Sequence, residues 1–398
     1  MAQPRILVLI AMAGVGLAAC GGSTGGGAAT NKPDKVQIAA EGPFTGDQAS
    51  IGAGALKAIQ LAVKDFNAAG GVNGTQVQLV IWDDQHSAQV AQTLQAAGIS
   101  DPTVLGIVGP MNSGVVLGSV TGLQSATPPL PFVSESASNV KVTDSGWSVA
   151  HRVNARDDAQ GPADAKFMID QGAKKVEVMD AKSDYSTALA DQTEAALKAK
   201  NIPTQRDSVK AGTTDFSTII TKIHSFNADW VYFADEGPEA APFVSQMKQS
   251  NLNIGQNINF LGTDGEEDSS IITKSQGAYD GAYATNITAD PAGVSGSAAA
   301  AYVTEYKAAY GADSLSSAGP FYGSAYEAAQ TLLQAIKSSP VNNGKISRTD
   351  VISHLASDTF TTIFGSVKFN SKGDVAGGGI YVYQAKGNAM VVLKQVSG

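Results

Sequence analysis

Two short segments carry hydroxyls and amides at spacings suited to gripping an anion. Gly109-Pro110-Met111-Asn112-Ser113-Gly114 joins an apolar run, Val104 to Val108, to a helix expected over Ser113 to Gln124. A hydroxyl at the first helical position and the free N–H groups of the first turn would converge there on one spot. Ser134-Glu135-Ser136-Ala137-Ser138-Asn139 leaves the next apolar run, Pro131 to Val133, in the same manner. Ser and Asn are also ordinary helix starters, so capping alone would account for both segments. A carboxylate stands in a comparable place in Phe260-Leu261-Gly262-Thr263-Asp264-Gly265, as a partner for an ammonium group or as a turn residue. Tyr185 follows a strand expected over Lys175 to Asp180, in the loop beyond it. It offers a ring to cover a ligand and a hydroxyl to bond one. Asp235 and Glu236 follow the strand Trp230 to Ala234, either as cleft carboxylates or as acids favoured at the start of the next helix.

Bond-making chemistry finds little support. The four histidines, His86, His151, His224 and His354, are scattered singly, and Cys20 is the only cysteine. Neither type has metal-ligand spacing, and no disulfide can form within the chain. The Gly-x-Ser-x-Gly spacing occurs only at Gly21 to Gly25, in a glycine-rich stretch that follows no strand, so the serine-hydrolase elbow is missing. Gly52-Ala53-Gly54 opens a helix, but Lys57 stands where a dinucleotide fingerprint needs its third glycine. The loop from Ala40 to Ile51 is also too long for that motif's tight turn. No catalytic residue, metal site or cofactor is expected, and the chain reads as a binding protein and not an enzyme. With 27 Lys+Arg against 36 Asp+Glu, its net charge of −9 argues against nucleic acid as a partner.

The elements that must position these residues alternate between strand and helix. Val36 to Ala40 reads as a strand. Ala53 to Ala69 reads as a helix with Leu56, Ile59, Val63 and Phe66 on one face. Val77 to Trp82 and Ser87 to Ala97 repeat the pair. A second series begins near Asp158, with helices over Gly161 to Gln171, Ser186 to Lys200, Thr214 to Phe226 and Pro238 to Ser250, and strands Trp230 to Ala234 and Asn259 to Gly262. Short apolar strands separated by helices imply parallel sheets covered on both faces. Beyond Ala278 come long helices, Ala298 to Tyr310 and Tyr322 to Ser338, then a strand-rich tail over Ser366 to Asn370, Gly379 to Gln384 and Val391 to Val396.

The chain starts with Arg5 and an apolar stretch, Ile6 to Ala19, of signal-peptide length. Leu17-Ala18-Ala19-Cys20 presents a cysteine after small residues, the pattern of lipoprotein processing, so Cys20 is expected to carry lipid. Gly21 to Lys35 is too poor in apolar residues to fold and reads as a tether. Roughly 360 further residues exceed one ordinary hydrophobic core, so two lobes are expected.

Together these motifs resemble the substrate-binding proteins for branched-chain amino acids, of the type I periplasmic binding fold. The resemblance is carried in order by Gly42-Pro43-Phe44-Thr45-Gly46 with Gly52, Asn67-Ala68-Ala69-Gly70-Gly71-Val72-Asn73-Gly74, Asp83-Asp84, Gly109 with Ser113-Gly114, Asp158-Ala159-Gln160-Gly161, Asp215-Phe216-Ser217 and Asp264-Gly265. It implies an α/β fold of two doubly wound parallel-sheet lobes joined by a multi-strand hinge, with the ligand between them. The expected division is a signal peptide over 1–19, a lipidated tether over 20–35, an N-terminal lobe of 36–155 plus 288–365, and a C-terminal lobe of 156–287 plus 366–398. It implies that Ser113, Ala137 and Ser138 hold a ligand α-carboxylate, Asp264 its ammonium, and Tyr185 covers it, with Met111 and Asn112 beside Ser113. Two family tyrosines are replaced, by Ile51 and Glu236. If buried in the cleft, extra carboxylates would suit a cationic or hydrogen-bonding side chain better than an aliphatic one. A lipid-anchored, extracytoplasmic, monomeric receptor for the membrane permease of an ABC importer follows, with sensing of a small molecule, or a non-amino-acid ligand, as the alternative.

Overall fold

The computed structural model describes residues 32–376 and 378–396. The apolar leader, Cys20 and most of the glycine-rich tether lie outside these residues. The first series is β1 (Val36–Gly42), α1 (Ala49–Ala68), β2 (Val77–Asp83), α2 (Ala88–Ser100), β3 (Val104–Val108), α3 (Ser113–Ser125), β4 (Phe132–Ser134), α4 (Lys141–Asp144) and β5 (Ala150–Arg152). Its strands form one sheet in the order β2-β1-β3-β4-β5, parallel throughout. The second series is α5 (Asp157–Asp170), β6 (Val176–Asp180), α6 (Asp184–Ala199), β7 (Thr204–Ser208), α7 (Ser217–Phe226), β8 (Trp230–Ala234), α8 (Ala240–Gln249), β9 (Asn259–Gly262), α9 (Ser269–Lys274) and β10 (Tyr283–Asn286). After it come α10 (Ser297–Tyr310), α11 (Tyr322–Ser338), β11 (Val341–Asn342), β12 (Lys345–Ile346), α12 (Arg348–Ser357), β13 (Phe360–Thr362), β14 (Gly365–Val367), β15 (Ile380–Lys386) and β16 (Ala389–Val396). The second sheet runs β16-β15-β10-β9-β8-β6-β7. Five of its strands are parallel, while β15 and β16 add on antiparallel.

Alternation along the strands explains why both faces of each sheet are covered. Ile38 and Ala40 point into one apolar cluster while Ala39 joins Ile107 and Phe132 in another. Val176 and Val178 belong to the first cluster and Met179, Val231 and Phe233 to a third, under α7 and α8. Alternating side chains that are mostly apolar on both faces, Glu41 and Glu177 being buried exceptions, suit a parallel sheet between two helical layers.

α10 and α11 return to the first sheet. Leu332 of α11 packs on Gly106 of β3, and the Tyr310 hydroxyl donates to the Lys57 carbonyl of α1 at 2.7 Å. A Cβ on Gly54 would fall 1.5 Å from the Ala318 carbonyl oxygen, and one on Gly52 would fall 2.3 Å from that of Pro43. The paired glycines of the failed dinucleotide motif are therefore packing positions that let α1 approach neighbouring backbone. The tail crosses back within residues 368–376. There Asp374 accepts from Arg152 Nε at 2.7 Å and from Arg156 at 3.0 Å. Arg152 is fully buried and also donates to the carbonyls of Ala137 and Asn139, each at 2.9 Å.

Six strands escape the sequence pattern, among them the short β11, β12 and β13. β7 reads Thr-Gln-Arg-Asp-Ser because it is a half-buried edge strand, and β5 and β10 are only three and four residues long. The strand expected over Ser366 to Asn370 is instead β14, paired with β13 in a small hairpin. Several helix starts also move, α1 to Ala49 from the expected Ala53 and α7 to Ser217 from Thr214 among them. α6 begins at Asp184 because Ser183 and Ser186 form a reciprocal capping box, which places Tyr185 on the first helical turn and not in a loop. α5 begins at Asp157, earlier than the expected Gly161.

Candidate functional site

The C-terminal ends of β1, β3 and β4 and those of β6, β8 and β9 deliver their loops to one cavity. It leaves about 30 Å³ to the centres of water-sized spheres and is lined by Ile51, Met111, Asn112, Ser113, Ser136, Tyr185, Glu236, Asp264, Gly265 and Phe321. Of the residues singled out in the sequence, Ile51, Met111, Asn112, Ser113, Tyr185, Glu236 and Asp264 gather here. Ala137 and Ser138 are buried but do not line the cavity; Ser136 does. Ala137 packs instead among Val116, Val120 and Phe132.

The first-series wall is set by backbone. Ser113 is the first residue of α3, and its hydroxyl accepts from the Asn139 N–H at 3.2 Å. First-turn amides of α3 have no intrahelical acceptor, so they leave a positive helix end at the cavity. The Ser134 hydroxyl donates to the Pro110 carbonyl at 2.7 Å and that of Ser136 to the Met111 carbonyl at 2.8 Å. These two bonds tie the loop after β4 to the loop after β3 and fix which residues face inward. Phe321, just before α11, closes this side beside Ile51 and Met111. No local pattern marks Phe321, since it reaches the cavity from a helix start far along the chain.

The opposite wall is acidic. Asp264 is 4% exposed and accepts from Gln160 Nε2 at 3.0 Å and from the Tyr185 hydroxyl. Burial pushes its carboxyl up to about 6 against these two bonds, and the charge of Glu236 adds to the rise. Burial, then the Asp264 charge, holds the Tyr185 hydroxyl well above its usual value, so it donates and stays neutral. Gln160 was present in the sequence motif Asp158-Ala159-Gln160-Gly161, without an assigned role.

Glu236 differs from Asp264 in being fully engaged by the protein. It accepts from the Ser183 hydroxyl at 2.7 Å, Asn112 Nδ2 at 3.2 Å and Gln48 Nε2 at 3.4 Å, and pairs with His86 Nε2 at 3.1 Å. Burial raises its carboxyl, but His86, Ser183 and Gln48 outweigh that and leave it below the ordinary value. Asp235 turns away from the cavity. It is buried, bonded to the Glu236 N–H at 2.8 Å, and pushed up to about 8 by burial and then by Glu239. Among the described residues, no group of His, Cys, Asp and Glu is arranged to hold a metal ion, and no helix is long and apolar enough to cross a membrane.

Known proteins share this arrangement of sheets. The chain is 30% identical over 253 residues to an amino acid binding protein of Pseudomonas aeruginosa, a match covering 63% of this chain and 66% of that protein. It is 28% identical over 371 residues to that organism's leucine-, isoleucine-, valine-, threonine- and alanine-binding protein, covering 88% and 90% of the two. The crystal structure of a leucine binding protein from Thermotoga maritima superposes with a TM-score of 0.81 at 25% identity, over 91% of this chain and 99% of that one. The profile of the periplasmic binding protein family matches residues 35–389, and the chain belongs to that family.

Proposed function

We propose that this chain is the extracytoplasmic receptor of an ABC importer and that its ligand is an α-amino acid with a compact, uncharged side chain. One observation carries the reading. A helix start with the Ser113 hydroxyl faces the buried Asp264 carboxylate across a single small cavity. That is the charge layout of a zwitterion, carboxylate on one side and ammonium on the other. Tyr185 would cover the ligand and help hold Asp264. Ile51, Met111 and Phe321 leave an apolar space for the side chain. Because Glu236 is saturated by His86, Ser183, Asn112 and Gln48, it does not offer a free charge to a cationic ligand, which revises the expectation drawn from its acidity.

The binding lobes in this reading are 36–155 plus 288–365 and 156–287 plus 366–398, closing on the ligand with water excluded. Lipid on Cys20, the tether over 20–35, action as a monomer and docking on a permease belong to the same proposal. A thermal-shift screen of L-α-amino acids, with benzoate as a carboxylate lacking an ammonium, tests it. A ligand at about 100 times its dissociation constant adds about 2.7 kcal/mol to stability. A rise in melting temperature with L-leucine, L-valine or L-alanine, and none with L-lysine or benzoate, is expected. A rise with benzoate and with no amino acid would defeat the zwitterion reading.

A further inference from the structure

Glu236 and His86 belong to different sheets. His86 lies in the loop after β2 of the first sheet, and Glu236 in the loop after β8 of the second. The His86 side of the contact is built with care. Gln85 and His86 both adopt left-handed backbone, with φ of 52° and 61°, a conformation non-glycine residues rarely take. Asp84 holds the turn by accepting from the His86 N–H at 2.8 Å, and its own N–H donates to the Gly42 carbonyl at 3.0 Å. Asp83 accepts from the Phe44 N–H at 2.9 Å, joining this turn to the β1–α1 loop. Gln48, from the β1–α1 loop, and Asn112, from the β3–α3 loop, then reach the same Glu236 oxygen as His86. Asn112 Nδ2 is shared with Gln48 Oε1 at 2.8 Å. Three side chains carried by the first sheet therefore converge on one carboxylate carried by the second, at the rim of the cavity.

We propose that His86 and Glu236 form a proton-coupled latch between the two sheets, with His86 as a positioning residue that favours closure over the cavity when it is protonated. The proposal rests on the closing-lobe reading above but not on the identity of the ligand. The groups facing His86 are Glu236 across the gap, Asp47 from the β1–α1 loop and Asp84 from its own turn, all acidic. Asp235 and Asp264 lie on the Glu236 side and are acidic too. Burial pulls the His86 imidazole down, but the Glu236 bond and charge outweigh it and leave it above its ordinary 6.5. The sign follows: the latch is at full strength below about 6.5 and weakens as pH rises through the raised value. A neutral imidazole can still donate through Nε2, so the contact loses its ion-pair part and keeps a hydrogen bond.

The test uses ligand-free protein. Proton NMR follows the imidazole resonances from pH 5 to 9, with His86 assigned by its loss in His86→Gln. Small-angle scattering follows the radius of gyration over the same range. The His86 midpoint is expected above 6.5 in the wild type and lower in Glu236→Gln. The radius of gyration should grow with pH through that midpoint, and stay flat in His86→Gln, which retains a neutral donor. A wild-type midpoint at or below 6.5, or one unmoved in Glu236→Gln, would overturn the pairing. A raised midpoint with a pH-independent radius would overturn the coupling to closure. If Glu236→Gln does not fold, Ser183→Ala, which removes one of the bonds to Glu236, replaces it and is expected to move the midpoint. Since no ligand is added, an error in the amino-acid assignment leaves every one of these readings intact.

Discussion

Replacing Asp264 by Asn separates the proposed ammonium contact from everything else the side chain does. The two are nearly isosteric, and Asn still offers an oxygen to Gln160 Nε2 and the Tyr185 hydroxyl. What is lost is the negative charge opposite the Ser113 helix start. Truncating one partner of a buried charged pair costs about 2–5 kcal/mol. Asn remains a neutral acceptor, so the lower part of that range applies, about 2–3 kcal/mol or 30- to 150-fold in affinity. Stability should move the other way. A buried carboxyl pushed up to about 6 opposes folding once it is charged. The ligand-free melting temperature of Asp264→Asn at pH 7.5 should therefore equal or exceed that of the wild type. Titration calorimetry at pH 7.5, with the L-amino acid that gives the largest thermal shift, reads the first quantity and differential scanning calorimetry the second. An affinity within threefold of wild type, in a protein that melts normally, would refute the ammonium role of Asp264.

Other substitutions probe the frame that holds the site. Arg152→Met leaves Asp374 half-paired and strips the Ala137 and Asn139 carbonyls of their donor. Breaking a buried pair this way should remove about 3–5 kcal/mol, read as a lower urea midpoint with unchanged slope; a loss under 1 kcal/mol would show the cluster to be structurally idle. Gly54→Ala drives a methyl into the Ala318 carbonyl, three residues before Phe321. It should cost about 1–3 kcal/mol by overpacking and also weaken ligand binding as Phe321 shifts, measured by denaturation and calorimetry on the same sample.

What the sequence disclosed and what it hid divide along physical lines. The loops after β3, β4 and β9 were legible because a parallel sheet sends its C-terminal ends to one edge, and glycine, serine and aspartate mark those ends locally. The one-residue choice between Ser136 and Ala137 was not legible. It is decided by bonds from Ser134 and Ser136 to carbonyls of another loop, which no pattern within the segment encodes. Glu236 looked like a ligand-selecting acid because its partners His86, Asn112 and Gln48 sit more than a hundred residues away in the chain. β7 was missed because an edge strand need not alternate apolar residues, and Tyr185 was placed in a loop because the Ser183 cap extends α6 backwards by two residues.

The acids around the cavity imply a proton balance that binding must disturb. Asp264 sits at about 6, and Asp157, fully buried, is pushed up to about 7 by burial and by the Asp264 charge. With the cavity empty, Asp264 is therefore about half protonated at pH 6 and mostly charged at neutrality, while Asp157 is about half protonated near pH 7. An arriving ammonium favours the charged form of Asp264, so binding should expel about half a proton at pH 6 and almost none from this group by pH 8. Closing the His86–Glu236 latch takes up a proton, the opposite sign, and does so mainly on the alkaline side of 6.5. Calorimetry in buffers of different ionisation enthalpy measures the net number directly. Release should dominate at pH 6 and vanish in Asp264→Asn, while any uptake near pH 8 should vanish in His86→Gln and survive in Asp264→Asn. Equal proton numbers in the wild type and both variants would mean that neither carboxylate nor imidazole senses the ligand. The charge layout that carries the amino-acid reading would then be a consequence of packing alone.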